Sequence, residues 1–443
     1  MSNYIWHPRS QMKDYEEYPA VHIKRGKGIY VYDDNDKSYL DAVSSWWVNL
    51  FGHSNDRINE AVVEQINTLE HVIFANFTHD KAEEFAEKII KLSPDRLEKV
   101  FFADNGSSSV EIALKMAFHA QQFKGNKNKT KFVALEGAYH GETLGALSVC
   151  DLDDYSKIYK PLIKSTYKAK SPDCYRCDLK RSNCNAECFS SMAEIIEENH
   201  ESIAAVIIEP MIQGAAGMNM YSPIYLKKLR EYCDKYDVYF IADEIAVGFG
   251  RTGKMFACEH AEISPDLMTL SKGISGGYMP MSAVLLSNEI YNIFYNDYEE
   301  GKSFFHSHTY SGNPLGCAAA CEVLNIFEEE HIIEKIKDLE MKLRKFVNKY
   351  LPKHDNIGEY RQLGFVGAIE LVQDSKLKNG FPWKDRIGYK IYQESIKRGL
   401  ILRPLDNVLY FMPPYCIKDD ELEWMVKTAI EVIALVIDDE YYN

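Results

Sequence analysis

The stretch Val238-Tyr239-Phe240-Ile241-Ala242 is an apolar run that ends on two acids, Asp243 and Glu244. A second apolar run, Leu267-Met268-Thr269-Leu270-Ser271, ends on Lys272 and is followed by a glycine-rich segment. Short runs of this kind predict strands buried on both faces. Asp243 and Lys272 would then each stand at the carboxyl end of a strand, where open α/β sheets bind their ligands.

This acid and this amine match the needs of one cofactor, pyridoxal 5′-phosphate. An amine forms a Schiff base with the cofactor, and an acid keeps the pyridine nitrogen protonated so that the ring withdraws electrons. The alternative is a surface acid and a surface lysine with no shared role. The glycines that follow Lys272 and the apolar runs before both groups favour the cofactor site.

Composition places the chain among ordinary globular proteins. Its 443 residues are 46% hydrophobic and 26% charged, and the net charge of −15 argues against a nucleic-acid partner. The segment from Met1 to Pro8 lacks the features of a signal peptide, and no apolar stretch has the length of a membrane span. The ten cysteines predict reduced thiols and a cytoplasmic location.

Alternation of apolar runs and amphipathic stretches after residue 100 predicts an α/β fold, with a mostly parallel central sheet covered by helices on both faces. The predicted strands of this sheet are 100–103, 132–135, 205–208, 238–242, 267–270 and 282–286, and the helices are 107–123, 223–235 and 314–329. Outside this region we expect a hairpin at 29–40, a helix from a cap at Asp56 to Leu69 with Ile58, Val62 and Ile66 on one stripe, helices at 332–350 and 383–397, and a strand at 364–371.

The same pattern predicts two domains. Residues 56–330 would form a large cofactor-binding α/β domain that carries a cysteine-containing insertion at 168–190. Residues 1–55 and 331–443 would together form a smaller α+β domain made from both chain ends.

Two loops are candidate phosphate sites. The segment 104–109 lies between a predicted strand and a predicted helix, so it is either an anion site at the helix N-terminus or only a capped helix start. The segment 248–253 spells G-x-G-x-x-G, which is a dinucleotide signature only between a strand and a small-residue helix. The preceding strand ends five residues earlier, so a nicotinamide dehydrogenase is the weaker alternative.

Several other side chains have a chemical and a purely structural interpretation. Tyr139 lies between glycines and could stack on a planar ligand or pack in the core. Trp46 and Trp47 could line a site for a long apolar ligand or simply pack. Arg403 could bind a carboxylate with both prongs of its guanidinium or be solvated at the surface.

Four cysteines, Cys174, Cys177, Cys184 and Cys188, lie in the polar insertion. They could hold structural zinc, or they could be free or redox-labile thiols. The gap between the two pairs is shorter than in common zinc sites, and no histidine lies within it.

Together these segments resemble the class III pyridoxal-phosphate aminotransferases of fold type I, from about Trp6 to the C-terminal helix. The motifs that carry the resemblance are Asn105-Gly106-Ser107, Tyr139-His140-Gly141, Ile208-Glu209-Pro210 with Gln213-Gly214, Asp243-Glu244 with the loop 248–253, Ser271-Lys272-Gly273 and Thr309-Tyr310-Ser311-Gly312-Asn313-Pro314. Within the class, the chain resembles the enzymes that convert 8-amino-7-oxononanoate to 7,8-diaminononanoate in biotin synthesis. The narrower motifs are Trp6-His7-Pro8, Ser44-Ser45-Trp46-Trp47, Phe256-Ala257-Cys258-Glu259-His260, and Arg403-Pro404 with 410–415.

The resemblance implies roles for the catalytic and cofactor residues. Lys272 would hold the cofactor and move the proton, Asp243 would pair with the pyridine nitrogen, and Tyr139 would stack on the ring. The other implied cofactor residues are Gly106 and Ser107 at the phosphate, Glu209, and His308 and Thr309, which would reach the phosphate of the neighbouring subunit in an obligate homodimer. No metal is expected at this site.

The resemblance also implies a substrate site. Its expected residues are Trp46, Trp47, Tyr139, Lys272, Ser307, Arg403 and Tyr410, with Arg403 on the carboxylate of the keto acid. The expected amino donor is S-adenosylmethionine; lysine as donor, or another ω-amine transaminase of the class, are the alternatives.

The chain departs from the family pattern at three places. Arg9 stands where the family usually has a tyrosine that contacts the substrate, and Glu142 stands where aspartate is usual. Ser307-His308 replaces a Gly-Pro pair before Thr309. A histidine at that position also occurs in relatives that use lysine as donor, so the donor stays open.

Overall fold

A computed structural model describes residues 4–178 and 184–438. Residues 1–3 of the predicted N-terminal segment, 179–183 of the predicted insertion and 439–443 of the predicted C-terminal domain lie outside these ranges. Within them, no helix has both the length and the apolar character needed to cross a membrane.

The strands and helices are numbered along the chain. The strands are β1 Ile23–Lys27, β2 Tyr30–Asp33, β3 Ser38–Asp41, β4 Leu97–Ala103, β5 Lys131–Leu135, β6 Tyr167–Ala169, β7 Ile203–Ile208, β8 Ile212–Gln213, β9 Asn219–Met220, β10 Tyr239–Asp243, β11 Leu267–Leu270, β12 Ser282–Ser287, β13 Ile357–Leu363, β14 Val366–Leu371, β15 Leu400–Ile401 and β16 Val408–Phe411. The helices are α1 Ser44–Trp47, α2 Asp56–Thr68, α3 Asp80–Leu92, α4 Gly106–Phe123, α5 Leu144–Val149, α6 Asp153–Ser156, α7 Ser190–Asn199, α8 Pro223–Lys235, α9 Asn288–Phe294, α10 Pro314–Glu329, α11 Ile332–Tyr350, α12 Ile387–Lys397 and α13 Asp419–Ile437.

The central sheet has the order β4-β12-β11-β10-β7-β5-β6. Only β12 runs against its neighbours β4 and β11, and the other pairs are parallel. Every residue of β7, β10, β11 and β12 is buried. Covered faces explain why these strands are continuous apolar runs rather than alternating ones, and the predicted mostly parallel sheet is confirmed.

The two chain ends meet in a second sheet. Strands β1, β2 and β3 form an antiparallel meander, and β15 from the C-terminal part pairs in parallel with β3 through Leu400 and Leu40. A third sheet, β13-β14-β16, belongs to the C-terminal part alone. The domain boundaries at residues 55 and 330 stay a prediction.

Several predicted details are wrong at helix ends. Asn55, not Asp56, caps α2, because its side chain accepts the N–H groups of Arg57 and Ile58. Ile58 is buried on the predicted stripe, but Ile66 is 54% exposed. The predicted helix at 383–397 is broken at Arg386, whose φ of 51° separates a 3₁₀ turn from α12.

The sheet topology brings the candidate residues to one edge. Asp243 ends β10, and it lies opposite Thr269 of the neighbouring strand β11, which leads to Lys272. Asn105, Tyr139 and Glu209 follow β4, β5 and β7, which run in the same direction. The carboxyl ends of parallel strands meet at one edge, so the fold gathers these residues there.

Candidate cofactor and substrate site

A cavity of about 210 Å³ lies at this edge of the central sheet. Its lining contains six residues that the sequence implied for the cofactor: Gly106, Ser107, Tyr139, Glu209, Asp243 and Lys272. It also contains Trp47, Asn105, His140, Gly141, Ile245, Ala246 and Ser271. The cavity is thus built at the ends of five strands of the central sheet, together with Trp47 from the segment after β3.

Asp243 is buried and held by hydrogen bonds to both carboxylate oxygens. Its Oδ1 accepts the Thr269 hydroxyl and the Ile245 N–H, each at 3.1 Å. Its Oδ2 lies 2.6 Å from Nδ1 of the buried His140. These three groups fix the orientation of the carboxylate. Such an orientation is needed if Asp243 is to face the pyridine nitrogen of the cofactor.

His140 is a residue whose role the sequence reasoning missed. It was recognised only as part of the Tyr139-His140-Gly141 motif, because its partner Asp243 lies 103 positions away along the chain. Ile245 and Ala246 were missed as well, and their only sequence signal is that they follow Asp243 closely. All three line the cavity.

Lys272 places its amine inside this cavity. Its backbone lies in the left-handed region, at φ 45°, directly after β11, a strained conformation for a residue with a side chain. The amine Nζ lies 4.3 Å from the centroid of the Trp47 ring. Burial lowers the pKa of Lys272 to about 8, although the nearby carboxylates of Asp243 and Glu209 oppose this shift.

The N-terminus of α4 forms a cradle for an anion. Asn105 caps this 18-residue helix by accepting the Ser108 N–H, and Gly106 and Ser107 form the first turn that faces the cavity. Gly141, at φ 120°, packs so closely on Ser107 that an added Cβ would collide with the Ser107 hydroxyl. Free amides and a hydroxyl at a helix N-terminus suit a phosphate group.

Tyr139 and Glu209 form the next part of the wall. The Tyr139 hydroxyl donates to Glu142 at 2.9 Å, and Glu209 accepts the N–H groups of Gly214 at 3.1 Å and Tyr139 at 3.5 Å. Burial, followed by the charge of Asp243, raises the pKa of Glu209 to about 8. The Tyr139 ring is therefore positioned from both its hydroxyl and its backbone.

The two tryptophans have different environments. Trp47 is buried, lines the cavity and donates from Nε1 to the Tyr410 hydroxyl at 3.0 Å. Trp46 is 43% exposed, and its ring lies 4.5 Å from the Arg403 guanidinium carbon. Both lie in a turn with φ of 73° and 74° rather than in a strand, so this turn sets their directions.

Three predicted residues lie on the segment before α10. Ser307 and Thr309 are exposed, and His308 contacts Asp104 of the same chain at 2.9 Å through Nδ1. Within a single chain these residues, like Arg403, are not part of the cavity lining. Their predicted contacts with cofactor and substrate therefore stay predictions.

The glycine loop 248–253 has a structural role. Its Arg251 is buried and donates to the backbone carbonyls of Pro413 at 3.0 Å, Trp47 at 3.2 Å and Asn49 at 3.3 Å. The loop thus joins segments from both chain ends and does not line the cavity. This arrangement gives no support to the dinucleotide interpretation.

The cysteines of the insertion are thiols rather than disulfides, as are the other six cysteines of the chain. In the described ranges, no group of histidine, cysteine, aspartate or glutamate side chains is arranged to hold a metal ion. The thiols of Cys174, Cys184 and Cys177 nevertheless lie close enough to Cys188 to help burial raise its pKa to about 11, and zinc and free thiols both stay predictions for this insertion.

Comparison with known proteins gives a consistent result over nearly the whole chain. Residues 11–433 match the family described as aminotransferase class-III. The chain is 42% identical to the adenosylmethionine-8-amino-7-oxononanoate aminotransferase of Geobacter sulfurreducens over 96% of this chain and 94% of that protein. It is 43% identical to the protein of the same name from Helicobacter pylori, over 97% and 96% of the two chains.

Solved structures agree with the sequence comparisons. The crystal structure of the protein of that name from Methanocaldococcus jannaschii has a TM-score of 0.92 and 38% identity, covering 97% of this chain and 96% of the other. An omega transaminase from Pseudomonas jessenii, solved in complex with PMP, also has a TM-score of 0.92, with 31% identity and coverage of 98% and 96%.

Proposed function

The chain belongs to the class III aminotransferases, and from that premise we propose that it transfers an amino group from S-adenosylmethionine to 8-amino-7-oxononanoate. The enzyme is pyridoxal-phosphate-dependent and has the fold type I architecture. One observation carries the proposal: Asp243 and Lys272 lie at the ends of adjacent strands in one cavity with Trp47. The names of the relatives at 42% and 43% identity support the choice of substrates.

We assign the cofactor to the cavity because its residues fit each part of that molecule. Gly106 and Ser107 offer amides and a hydroxyl to the phosphate, Tyr139 offers a ring face, and Asp243 offers an oriented carboxylate to the pyridine nitrogen. When bound, pyridoxal 5′-phosphate supplies an aldehyde that links to amines and a cationic ring that withdraws electrons.

The residues of the chain then perform the proton transfer. Lys272 Nζ, with a pKa of about 8, is partly neutral near pH 7.5 and so accepts a proton from the substrate carbon. The buried Asp243 carboxylate would pair with the pyridine nitrogen of the bound cofactor and stabilise a positive charge there. Trp47 closes one side of the cavity over the Lys272 amine and limits the access of water.

The substrate walls agree with a long apolar acid. Trp47 lines the cavity, and the buried Tyr410 supports it through their hydrogen bond and an edge-to-face ring contact at 6.0 Å. Trp46 and Arg403 lie together near the surface and offer an apolar face and a guanidinium. An apolar chain that ends in a carboxylate suits this combination.

The proposed reaction is tested by product analysis. Purified enzyme with added cofactor is incubated with 8-amino-7-oxononanoate and either S-adenosylmethionine or lysine, and 7,8-diaminononanoate is measured by mass spectrometry. We expect product with S-adenosylmethionine. Product with lysine alone would correct the donor, and the absence of product with both donors, combined with turnover of another ω-amine, would overturn the proposed substrate.

We propose that the chain works as a homodimer in which each subunit completes the site of the other. The apolar residues Val63, Ile66, Ile73 and Phe77 are each more than half exposed in the single chain, as an interface between copies requires. Ser307 and Thr309 are also exposed, in line with the predicted contact between Thr309 and the phosphate of the partner.

Sedimentation and a hybrid enzyme test this homodimer. We expect a sedimentation mass of twice 50.9 kDa. In the proposed dimer each site takes Lys272 from one chain and Thr309 from the other, so neither the Lys272→Ala dimer nor the Thr309→Ala dimer has an intact site. A hybrid dimer with one chain of each variant has one site that carries both substitutions and one site that carries neither. Recovered activity in the hybrid supports sharing, whereas a monomer, or a hybrid no better than its parents, contradicts it.

The pKa of Lys272 predicts how cofactor loading depends on pH. Only the neutral amine bonds to an aldehyde, and the folded pKa of about 8 lies below the ordinary value of 10.5, so the neutral fraction rises through pH 8. The rate at which apoenzyme regains its visible absorbance should therefore rise about tenfold per unit below pH 8 and level off above pH 9. A rate that still rises between pH 9 and 10 would contradict this environment for the amine.

We also propose a cytoplasmic location and the division into domains at residues 55 and 330. All ten cysteines are thiols rather than disulfides, as a reducing compartment allows. The pairing of β3 with β15 brings the two chain ends into one sheet, which supports a smaller domain made from both.

A further inference from the structure

Arg9 brings a positive charge to the surroundings of the cavity. Its guanidinium carbon lies 3.9 Å from the centroid of the Tyr155 ring. The centroid of the Tyr155 ring lies 5.0 Å from that of Tyr139, which lines the cavity. Arg9 is thus separated from the cavity wall by a single aromatic ring.

Arg403 approaches the same place from the other end of the chain. Its Nη2 donates to the backbone carbonyl of Arg9 at 3.2 Å, and its guanidinium carbon lies 4.5 Å from the Trp46 ring centroid. A guanidinium has five N–H donors, so this bond leaves most of them available. The stacking of Arg9 on Tyr155 occupies the face of its guanidinium and leaves the edge for hydrogen bonds.

Among the described residues, no carboxylate forms an ion pair with either guanidinium. Within the same ranges, the contacts of the two guanidiniums are aromatic rings and one backbone carbonyl. Burial raises the pKa of Tyr155. The charges of Arg9 and Arg403 oppose that rise, and the carboxylates of Glu142 and Asp154 add to it, so both cations and two acids act on this one ring. The two cations are joined through the Arg9 backbone and both act on Tyr155, and each keeps N–H donors that a carboxylate ligand can accept.

We infer that Arg9 is a specificity-determining residue that, together with Arg403, binds the carboxylate of a substrate near the cavity. This inference rests on the proposed function. The hydrogen bond to the Arg9 carbonyl orients the Arg403 guanidinium. The Arg9 side chain adds a second positive charge, which the tyrosine usual at this position would not provide. Arg9 is exposed, so its contribution is that of a solvated charge and is smaller than that of a buried one.

Binding of two unreactive probes to the holoenzyme tests the inference. Nonanoate has the chain length of the keto acid and its carboxylate, and nonanamide is its uncharged counterpart. Calorimetry should show that Arg9→Gln weakens nonanoate binding about fivefold and leaves nonanamide within about 1.5-fold. Arg9→Lys, which keeps the charge, should keep nonanoate binding within about twofold.

A matched variant controls for loss of a stacked surface arginine. Arg25 stacks on Tyr32 at 3.6 Å, and that ring packs on Tyr30 rather than on a ring of the cavity wall, so Arg25→Gln should change neither probe. The inference is overturned if Arg9→Gln leaves nonanoate binding unchanged, or if it weakens nonanamide as much as nonanoate. It is also overturned if Arg25→Gln weakens nonanoate binding equally.

Kinetic measurements then identify the source of the carboxylate. If Arg9→Gln raises KM only for 8-amino-7-oxononanoate, the carboxylate belongs to the acceptor. If it raises KM only for the amino donor, the carboxylate belongs to the donor, and if it raises both KM values, the site binds both substrates. All three support the inference, and unchanged KM values for both overturn it. The proposed function fails separately, if the unmodified enzyme forms no 7,8-diaminononanoate.

Discussion

Replacement of Lys272 by alanine is expected to lower kcat by at least roughly 10⁴-fold, because one side chain provides both the covalent link to the cofactor and the proton transfer. Of the described residues, no other lysine lines the cavity. Stopped-flow or single-turnover measurements at saturating substrate test this prediction, together with the loss of the visible absorbance of the bound cofactor.

Lys168 provides a matched control for this variant. It is a second lysine whose pKa burial lowers to about 8, but it donates to the Cys150 carbonyl at 2.9 Å and lies outside the cavity lining. Lys168→Met should keep kcat within about tenfold, with any loss explained by stability. A Lys272→Ala enzyme that retains more than about a hundredth of normal kcat would contradict the assigned role.

Asp243→Asn is expected to lower kcat about 10²- to 10³-fold while the fold is kept. Removing one preorganised electrostatic partner of the reacting group costs about 2.7–4 kcal/mol of transition-state stabilisation, and each 1.36 kcal/mol is a factor of ten in rate. The asparagine has nearly the same shape, so circular dichroism and thermal unfolding should change little. The visible spectrum of the bound cofactor should shift as the ring nitrogen loses its charged partner.

The two side chains that hold Asp243 give a graded series for this prediction. His140 contacts Oδ2 at 2.6 Å, and Thr269 donates to Oδ1 at 3.1 Å. We expect kcat to fall about tenfold or more in His140→Gln and less than that in Thr269→Val. The reason is that the contact of the His140 ring with the Asp243 carboxylate is shorter, and so stronger, than the hydrogen bond from the Thr269 hydroxyl. A larger loss for Thr269→Val than for Asp243→Asn would contradict the assigned hierarchy.

The sheet could be predicted from sequence because burial on both faces leaves a direct signal. Strands β7, β10, β11 and β12 are apolar at most positions, and each of the four overlaps one of the predicted runs. Polar residues that follow such runs come together at one sheet edge, so the two apolar runs are sufficient to place Asp243 near Lys272.

Features that depend on distant partners or on unusual backbone could not be predicted in this way. His140 gains its role from Asp243, which is 103 positions away, and Arg9 approaches Arg403 across 394 positions. Trp46 and Trp47 take their directions from a turn with positive φ that no periodicity reveals. Thr309 is exposed in the single chain, and its contact with the phosphate of a neighbouring subunit stays a prediction.

Chemical trapping of the holoenzyme tests the central claim most directly. Borohydride reduction fixes any bond between the cofactor and a lysine, and peptide mapping by mass spectrometry then locates the added phosphopyridoxyl group. The account predicts one labelled site, at Lys272, and no label in Lys272→Ala. Label at Lys168 or any other lysine, with Lys272 unmodified, would contradict it.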